Sequence, residues 1–185
     1  MTTLGWIIII IFAVIIGWII SIFNSLIRAS QRTDEAWADI EVQLKRRHDL
    51  IPNLVEVVKG YAAHEKELFE KVAQARSEAM QAKTVGERAR AENALSESLK
   101  SLFAVSEAYP NLRASENFLE LQRELADTEN KIQAARRFYN ANVRDFNIKI
   151  GLFPNSLIAR SLKFNKKEFF EIEEKAEREP VKIAF

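Results

Sequence analysis

The chain has 185 residues, of which 48% are hydrophobic, and its 27 basic residues nearly balance its 26 acidic ones, so that the formal net charge is +1. Because a chain with almost no net charge lacks the positive electrostatic field that attracts nucleic acid, we expect no nucleic-acid partner. Cysteine is absent, which excludes disulfide bonds, thiol nucleophiles and thiolate metal sites.

The first predicted element is an apolar run from residue 4 to residue 23, LGWIIIIIFAVIIGWIISIF, and no side chain up to Ile27 is charged. Twenty helical residues span about 30 Å, which is the thickness of the hydrocarbon core of a bilayer. A buried helix of a soluble protein is expected to carry a polar stripe, and this run has none. We therefore predict a transmembrane anchor over residues 1–27, with membrane lipid as its partner.

A cleaved secretory signal is the alternative for this run. Such a signal has a basic start, an apolar stretch of about 7–15 residues and a small-x-small cleavage site, whereas Thr2 and Thr3 are neutral and no A-x-A pattern follows Phe23. Arg28 and Arg32 lie just after the span. The positive-inside rule then predicts that the N-terminus is outside and that the C-terminal domain is cytoplasmic.

One helical domain is predicted over residues 28–170, because only three glycines and four prolines follow the span. Its first helix is expected to continue from the membrane to about Ala82, with apolar residues spaced by three and four along one face. Pro52 lies inside this pattern. Because proline removes a donor and clashes with the preceding turn, we expect the helix to be kinked or divided near Ile51.

Two further helices follow from their boundary signals and spacing. Thr84 and Glu87 have the form of a capping box, which predicts that a second helix begins there and stops before Pro110. A third helix begins near Ser115, and Gly151 is predicted to end it as a left-handed C-cap. Its apolar-face positions alternate in steps of three and four over some four heptads, which requires a helical partner. These positions are Phe118, Leu121, Leu125, Thr128, Ile132, Ala135, Tyr139, Asn142 and Phe146.

Apolar residues continue beyond Gly151, after three helices have already supplied a core. This segment is expected to pack back on the bundle end, to lie in the membrane interface, or to join neighbouring subunits. The candidate association or membrane-interface residues are Leu157, Arg160, Lys163, Phe164, Phe169 and Phe170. Residues 171–185 form a charged tail that is predicted to be flexible.

Polar residues on the predicted helices suggest structural contacts more than chemistry. Asparagine has poor helix propensity, and a ligand-binding role for Asn140, Asn142 and Asn147 competes with the favoured interpretation that a buried Asn142 fixes the helix register. Arg47 lies near the apolar stripe and is predicted to pair with a carboxylate of a neighbouring helix. Glu107 and Glu129 are both candidates for that carboxylate.

Motifs of known chemistry are missing from the sequence. His64 begins a near miss to H-E-x-x-H, since Leu68 stands where the second histidine is required, and His64 is therefore predicted to be a surface residue. No phosphate-binding loop or nucleophile elbow occurs. We expect no metal, no cofactor, no small-molecule substrate and no enzymatic activity.

The runs LKRRHDLIPNLVEVVKGYAAHE (44–65), LFAVSEAYPNLRASENFLELQRELADTENKIQAARRFYNANVRDFN (102–147) and FPNSLIA (153–159) closely resemble the LemA family of bacterial membrane proteins. The resemblance implies a single-pass protein of the bacterial inner membrane that bears an elongated antiparallel helical bundle, with no established enzymatic function. Some relatives are associated with magnetosome membrane formation. The motif residues to which it assigns structural roles are Arg46, Arg47, Asp49, Pro52, Asn53, Glu56, His64, Glu107, Tyr109 and Pro110.

The sequence therefore predicts an all-α fold, in which one transmembrane helix precedes an elongated antiparallel bundle of three to four helices. The favoured function is a non-enzymatic, membrane-anchored scaffold that forms homo-oligomers and organises or shapes membrane. An adaptor or signalling module, recruiting another protein to the cytoplasmic face, is the alternative. An enzyme or transporter subunit would require an ionisable group in the span or a polar pocket, and the span has no such group.

Overall fold

A computed structural model describes residues 3–171, and within them the chain forms six α-helices and no strand. The helices are α1 Thr3–Lys59, α2 Lys66–Gln81, α3 Val85–Ser106, α4 Pro110–Arg113, α5 Glu116–Gly151 and α6 Asn155–Ser161. The predicted all-α class, a helical bundle that follows one long apolar helix, is confirmed. The tail predicted over residues 171–185 lies, apart from Glu171, outside the described residues.

The first helix carries the apolar run at its N-terminal end. α1 is 57 residues long, and its most apolar window has a mean hydropathy of 3.0 with none of its residues buried against the rest of the chain. By length and composition, α1 is able to cross a membrane. Near the end of this run and beyond it, the same helix supplies buried residues, of which Ile22 and Leu26 are the first.

The first helix, α1, ends earlier than predicted. α1 stops at Lys59, residues 60–65 form a turn, and α2 begins at Lys66, so the continuous helix to Ala82 is wrong. Pro52 does not divide α1 and is exposed within it. Proline deprives the carbonyl four residues earlier of its usual donor, and Arg76 of α2 replaces that donor, with Nε 2.7 Å from the carbonyl oxygen of His48.

The described chain divides into two compact units, which we name the anchor unit (residues 3–41 and 134–168) and the hairpin unit (residues 42–133 and 169–171). In the hairpin unit, α2, α3 and α4 bury a shared apolar core with the C-terminal part of α1 and the N-terminal part of α5. Its most buried members, besides small residues, are Ile51, Leu54, Val58, Val72, Leu95, Leu102 and Leu112.

The capping box predicted at the start of α3 is confirmed. The backbone N–H of Glu87 donates to the Thr84 hydroxyl, and the Glu87 carboxylate accepts from the backbone N–H of Thr84, both at 3.1 Å. Four backbone donors at a helix N-terminus lack helical partners, and this reciprocal pair satisfies two of them while fixing the turn from α2. The α2–α3 hairpin therefore has its corner specified locally.

In the anchor unit, α1 and α5 run antiparallel and α6 closes the end of α5. The rings of Trp37 and Tyr139 lie 5.3 Å apart, and those of Phe146 and Phe164 lie 5.8 Å apart. A small apolar cluster joins Ile22 and Leu26 of α1 to α6. The peptide bond between Phe153 and Pro154, in the turn between α5 and α6, is cis.

The ends of α5 and α6 differ from prediction. Gly151 is the last residue of α5, but its φ is not positive, so the predicted left-handed C-cap is wrong. Lys163, after α6, has the left-handed backbone instead, with a φ of 56°. The N–H of Phe164 donates to the carbonyl of Ala159 at 3.0 Å and that of Lys163 to the carbonyl of Arg160 at 3.1 Å. These two bonds are those of a Schellman motif.

All nine predicted heptad positions of α5 are buried or half-buried. Phe118, Leu125, Thr128, Ile132, Tyr139 and Phe146 are buried, and the remaining three positions are half-buried. The stripe predicted from spacing therefore coincides with the inward face of the helix. Supercoiling of a true coiled coil stays a prediction.

Candidate functional site

A cluster of charged side chains lies inside the hairpin unit. Arg47 and His48 of α1 and Glu92 of α3 are only 3%, 5% and 4% exposed. Charged groups are almost never fully buried unless they are paired. Together with Ser96 and Glu129, which contact the Arg47 guanidinium, these residues form what we call the Arg47 cluster.

The guanidinium of Arg47 is the centre of the cluster. Through Nη2 it donates to the Glu92 carboxylate, and through Nη1 to Glu129 Oε2 at 2.8 Å and to the Ser96 hydroxyl at 3.0 Å. The second Glu92 oxygen lies 2.9 Å from His48 Nε2, which must carry the ring proton because a carboxylate only accepts. Three helices are thus joined by hydrogen bonds to one arginine.

The ionised form of Glu92 is maintained by its partners. Burial by itself raises the pKa of this carboxyl group, but the hydrogen bond from His48 and the positive charge of Arg47 outweigh burial and hold the pKa of Glu92 below its usual value. The carboxylate is therefore charged at neutral pH. A buried charge that is fully paired positions α1 and α3 and is costly to disrupt.

Part of this cluster was predicted from the sequence. The pairing of Arg47 with Glu129 is confirmed, whereas Glu107, the other candidate, pairs with Arg113 at 3.0 Å on the surface. Glu92 was missed. It occupies a position of the buried stripe of α3, three residues before Leu95, and a carboxylate at an apolar-spaced position is the signal that identifies it.

A cleft of about 600 Å³ borders the Arg47 cluster. Arg47 lies at its wall, and the other lining residues come from α3 and α5. The polar ones among these are Asn93, Ser96, Glu97, Lys100, Gln122, Glu129 and Gln133, and the apolar ones are Leu99, Phe103, Leu125 and Ala126. Within residues 3–171, no group of three histidine or acidic residues is arranged to hold a metal ion.

One group of motif residues shares a solvent-facing side of α1. Asp49, Pro52, Asn53 and Glu56 are all exposed, and their spacing places them on a single helical face. Glu56 pairs with the neighbouring Lys59 at 3.0 Å. We call this stripe the Asp49 face.

The remaining motif residues have separate places. Arg46 makes surface ion pairs with α5, at 3.4 Å to Asp127 and 3.9 Å to Glu124. Exposed His64 lies in the turn after α1, Tyr109 packs half-buried against the hairpin-unit core, and Pro110 begins α4.

Two of the candidate association residues are packed within the chain. Phe164 lies against Phe146, and Phe170 is only 2% exposed. Packing on the protein itself, one of the three alternatives, therefore accounts for these two rings. Leu157, Arg160, Lys163 and Phe169 are exposed.

Two of the asparagines make contacts within the chain that the sequence did not predict. Asn142 is half-buried and donates to the Phe138 carbonyl of its own helix at 2.9 Å, so its predicted role in register is wrong. Asn147 instead makes two hydrogen bonds, both 2.9 Å, to the backbone N–H and carbonyl of Lys167. The Asn147 side chain thereby fixes the segment after α6 to α5.

The side chain of Lys167 makes hydrogen bonds to α1. Its ammonium group donates to the Thr33 hydroxyl, to the carbonyl of Ser30 at 3.1 Å and to Asp34 Oδ1 at 2.6 Å. It also lies 5.4 Å from the centre of the Phe146 ring. One lysine thus ties the segment after α6 to both long helices of the anchor unit.

Comparison with known proteins identifies relatives over most of the chain. Residues 36–185 match the LemA family model. The protein is 25% identical to magnetosome protein MamQ 1 of Paramagnetospirillum magneticum, over 80% of this chain and 64% of that protein. It is 28% identical to protein LemA of Metamycoplasma hominis, over 82% of this chain and 69% of that protein. The chain thus spans less than two thirds of the length of the first of these relatives.

The family match includes α2 to α6, the Arg47 cluster and α1 from residue 36 onwards. The buried pairing of Arg47, the Asp49 face and the turn around His64 all lie within it. Because the match extends over the greater part of the sequence and agrees with an all-helical structure, we conclude that this chain belongs to the LemA family.

Proposed function

We propose that this protein is a membrane-anchored helical scaffold that associates with copies of itself and organises or shapes the membrane. The observation that carries the proposal is the construction of α1. Its N-terminal part is apolar and uncovered, and the same unbroken helix continues into the buried core of the protein. An apolar helix that is able to cross a membrane and continues into a helical domain is suited to holding proteins together at the membrane.

The orientation follows from charges beside the span. Arg28 and Arg32 follow the apolar run, and Lys167 lies close by through its bonds to Ser30 and Asp34. Positive residues near a span favour the cytoplasmic side. We propose that the N-terminus is outside and that the helical domain is in the cytoplasm.

The similar proteins support a role in assembly. Three of them are named magnetosome proteins and one is named protein LemA. The magnetosome names refer to a cellular structure and not to a reaction. Confinement to one membrane plane also raises the effective concentration of the protein, which favours association through weak contacts.

Counting the copies in each membrane particle tests self-association. Because the sequence has no cysteine, Glu70→Cys provides a single exposed labelling position on α2. We expect several photobleaching steps of the fluorescent label per vesicle, at a ratio of protein to lipid so low that two independent copies rarely share a vesicle by chance. The control is the same protein diluted further with lipid, where a true oligomer keeps its step number. Single steps at every dilution would refute the scaffold.

An adaptor remains the second candidate, and the cleft beside the Arg47 cluster and the Asp49 face support it. Both are surfaces on which polar side chains converge, one across α3 and α5 and the other along α1. A photoreactive amino acid at Asn53, compared with one at exposed Glu70, distinguishes the two functions in native membranes. An adduct with one different protein, specific to position 53, favours the adaptor, and an adduct with a second copy favours the scaffold.

A further inference from the structure

Several large apolar side chains are uncovered where α5 ends and α6 begins. Leu152, Phe153 and Leu157 are 56%, 80% and 57% exposed. Ile148, in the last turn of α5, is also more than half exposed. We call residues 148–163 the apolar corner. Scattered single apolar residues are normal on a protein surface, but four within ten residues form a patch that needs an environment.

The inner side of this corner contacts the end of the apolar run of α1. Ala159 of α6 is 2% exposed and is buried with Ile22 and Leu26, while Ile150 and Ile158 pack around them. Ile22 belongs to the uncharged stretch that is able to cross a membrane. The apolar corner is therefore held beside the point at which the span ends.

The antiparallel pairing of α1 with α5 independently places the apolar corner level with the end of the apolar run. Trp37 contacts Tyr139, and eleven residues further along α5, Ile150 packs on the cluster that contains Leu26, eleven residues earlier in α1. Both helices rise by 1.5 Å per residue. This antiparallel pairing places Gly151, the last residue of α5, level with Ser25, two residues after the apolar run ends at Phe23, so the turn that carries Leu152 and Phe153 begins at this level.

The charge of the corner matches a membrane surface. Residues 148–163 contain three basic residues, Lys149, Arg160 and Lys163, and no acidic one, and Lys166 follows shortly after them. Apolar side chains with flanking lysines and arginines are typical of segments that lie among anionic headgroups. A second copy is a poorer occupant, because pairing two such corners would bring like charges together.

We propose that the apolar corner inserts Leu152, Phe153 and Leu157 into the interfacial region of the bilayer that holds α1. The protein then touches the membrane at two places, the span and the corner, and the second contact limits tilting of the anchor unit about the first. This inference rests on the membrane anchoring that is part of the proposed function. Insertion of an interfacial segment reaches about 5–10 Å below the surface.

Single-cysteine labelling of the full-length chain tests the contact. Phe153→Cys receives an environment-sensitive fluorophore, and Leu157→Cys provides a second variant. Phe138→Cys is the matched control, since Phe138 is also an exposed phenylalanine, 57% accessible, but lies next to the Tyr139–Trp37 contact, about 20 Å further from the span along α5. Ile10→Cys, inside the apolar run, reports whether the anchor is inserted.

The proteins are reconstituted at one copy per lipid nanodisc of phosphatidylcholine and phosphatidylglycerol, with and without lipids that carry a quencher near the headgroup. We expect the quencher to lower emission at positions 153 and 157 by about half, and by at least about twofold less at position 138, because only the corner reaches the interface. Emission at 153 should also be blue-shifted relative to 138. Far-ultraviolet circular dichroism checks that each variant is helical.

Equal quenching at positions 153, 157 and 138 would overturn the membrane contact of the corner. If this occurs while the label at position 10 reports lipid, only the corner is refuted and the anchor stands. If position 10 also reports water, the membrane anchoring of the proposed function fails as well. Protection of position 153 that needs several copies per disc would identify a second copy as the occupant, and would also overturn the proposal.

Discussion

The hairpin unit and the anchor unit each contain one charged cluster, and the two clusters differ in their access to water. In the hairpin unit, the side chains of Arg47 and Glu92 are 3% and 5% exposed. In the anchor unit, the side chains of Lys167 and Asp34 are 24% and 59% exposed. Desolvation makes an unpaired charge expensive in the first case, while water replaces a lost partner in the second. Similar ion pairs therefore have different consequences for stability.

The largest effect is expected from breaking the buried pair. Glu92→Leu leaves the Arg47 guanidinium buried with Glu129 as its remaining carboxylate partner, and should lower the free energy of unfolding by about 3 kcal/mol. Asp34→Asn is the counterpart in the anchor unit and should cost less than about 1 kcal/mol. Denaturant unfolding of the full-length protein in mild detergent, followed by circular dichroism, measures both. Similar losses for the two variants would contradict the contrast between the clusters.

Acid should remove the same stabilisation. Because the pKa of Glu92 is lower in the folded protein than the value of about 4.3 in an unfolded chain, the stabilisation is complete above that value. It is lost as the pH falls through the folded pKa. The difference in stability between the wild-type protein and Glu92→Leu should therefore shrink below about pH 4. A difference that stays constant from neutral pH to about pH 3 would argue against an ionised Glu92.

A smaller effect is expected where Arg76 caps the carbonyl of His48. Arg76→Met should cost about 1.5–3 kcal/mol, because a charged donor to a partly buried carbonyl is lost. Pro52→Ala restores the N–H that would satisfy this carbonyl within α1. In that background, Arg76→Met should cost clearly less. A double-mutant cycle by denaturant unfolding tests this, and additive costs would show that the two residues act independently.

In the anchor unit, the Tyr139 hydroxyl donates to the carbonyl of Glu168 at 2.9 Å, and Tyr139→Phe should cost about 0.5–1.5 kcal/mol. Burial, followed by the nearby carboxylates of Asp34 and Glu168, raises the pKa of Tyr139 to about 12. The folded state thus holds this proton more tightly than the unfolded chain does. The protonated Tyr139 hydroxyl therefore contributes fully to the free energy of unfolding below the unfolded pKa of about 10, and this contribution is lost as the pH rises through the folded pKa. The difference between ultraviolet titrations of the wild-type protein and Tyr139→Phe measures the pKa of Tyr139. A difference signal that titrates near pH 10 would contradict the raised pKa.

The smallest change is expected at the left-handed residue after α6. Lys163 has a positive φ within a Schellman motif, where glycine is the favoured residue. Lys163→Gly should stabilise the fold by up to about 1 kcal/mol, because it relieves the contact between Cβ and the backbone. Lys166→Gly, at an exposed position outside the motif, is the control and should give no gain. Thermal unfolding compares the two.

Residue spacing and boundary signals were sufficient to predict the helical class, the apolar run, the Thr84 capping box and the inward face of α5. These features depend on neighbours within about one to two helical turns, so the sequence contains the required information. That Arg47 pairs with a carboxylate was also predictable, because a charged residue beside an apolar stripe requires a partner, but the sequence did not separate Glu129 from Glu107.

Other features depended on contacts between residues far apart in the sequence. Pro52 stays inside α1 because Arg76, on another helix, satisfies the carbonyl that proline orphans. The apolar spacing of α3 indicates that Glu92 is buried, but only the packing of α3 against α1 determines that Arg47 is its partner. Asn147, rather than Asn142, makes the contact between segments, because the chain after α6 returns along α5. Local patterns specify which residues form helices, and only the packed structure determines which polar groups meet, since each pairing depends on how several helices align at once.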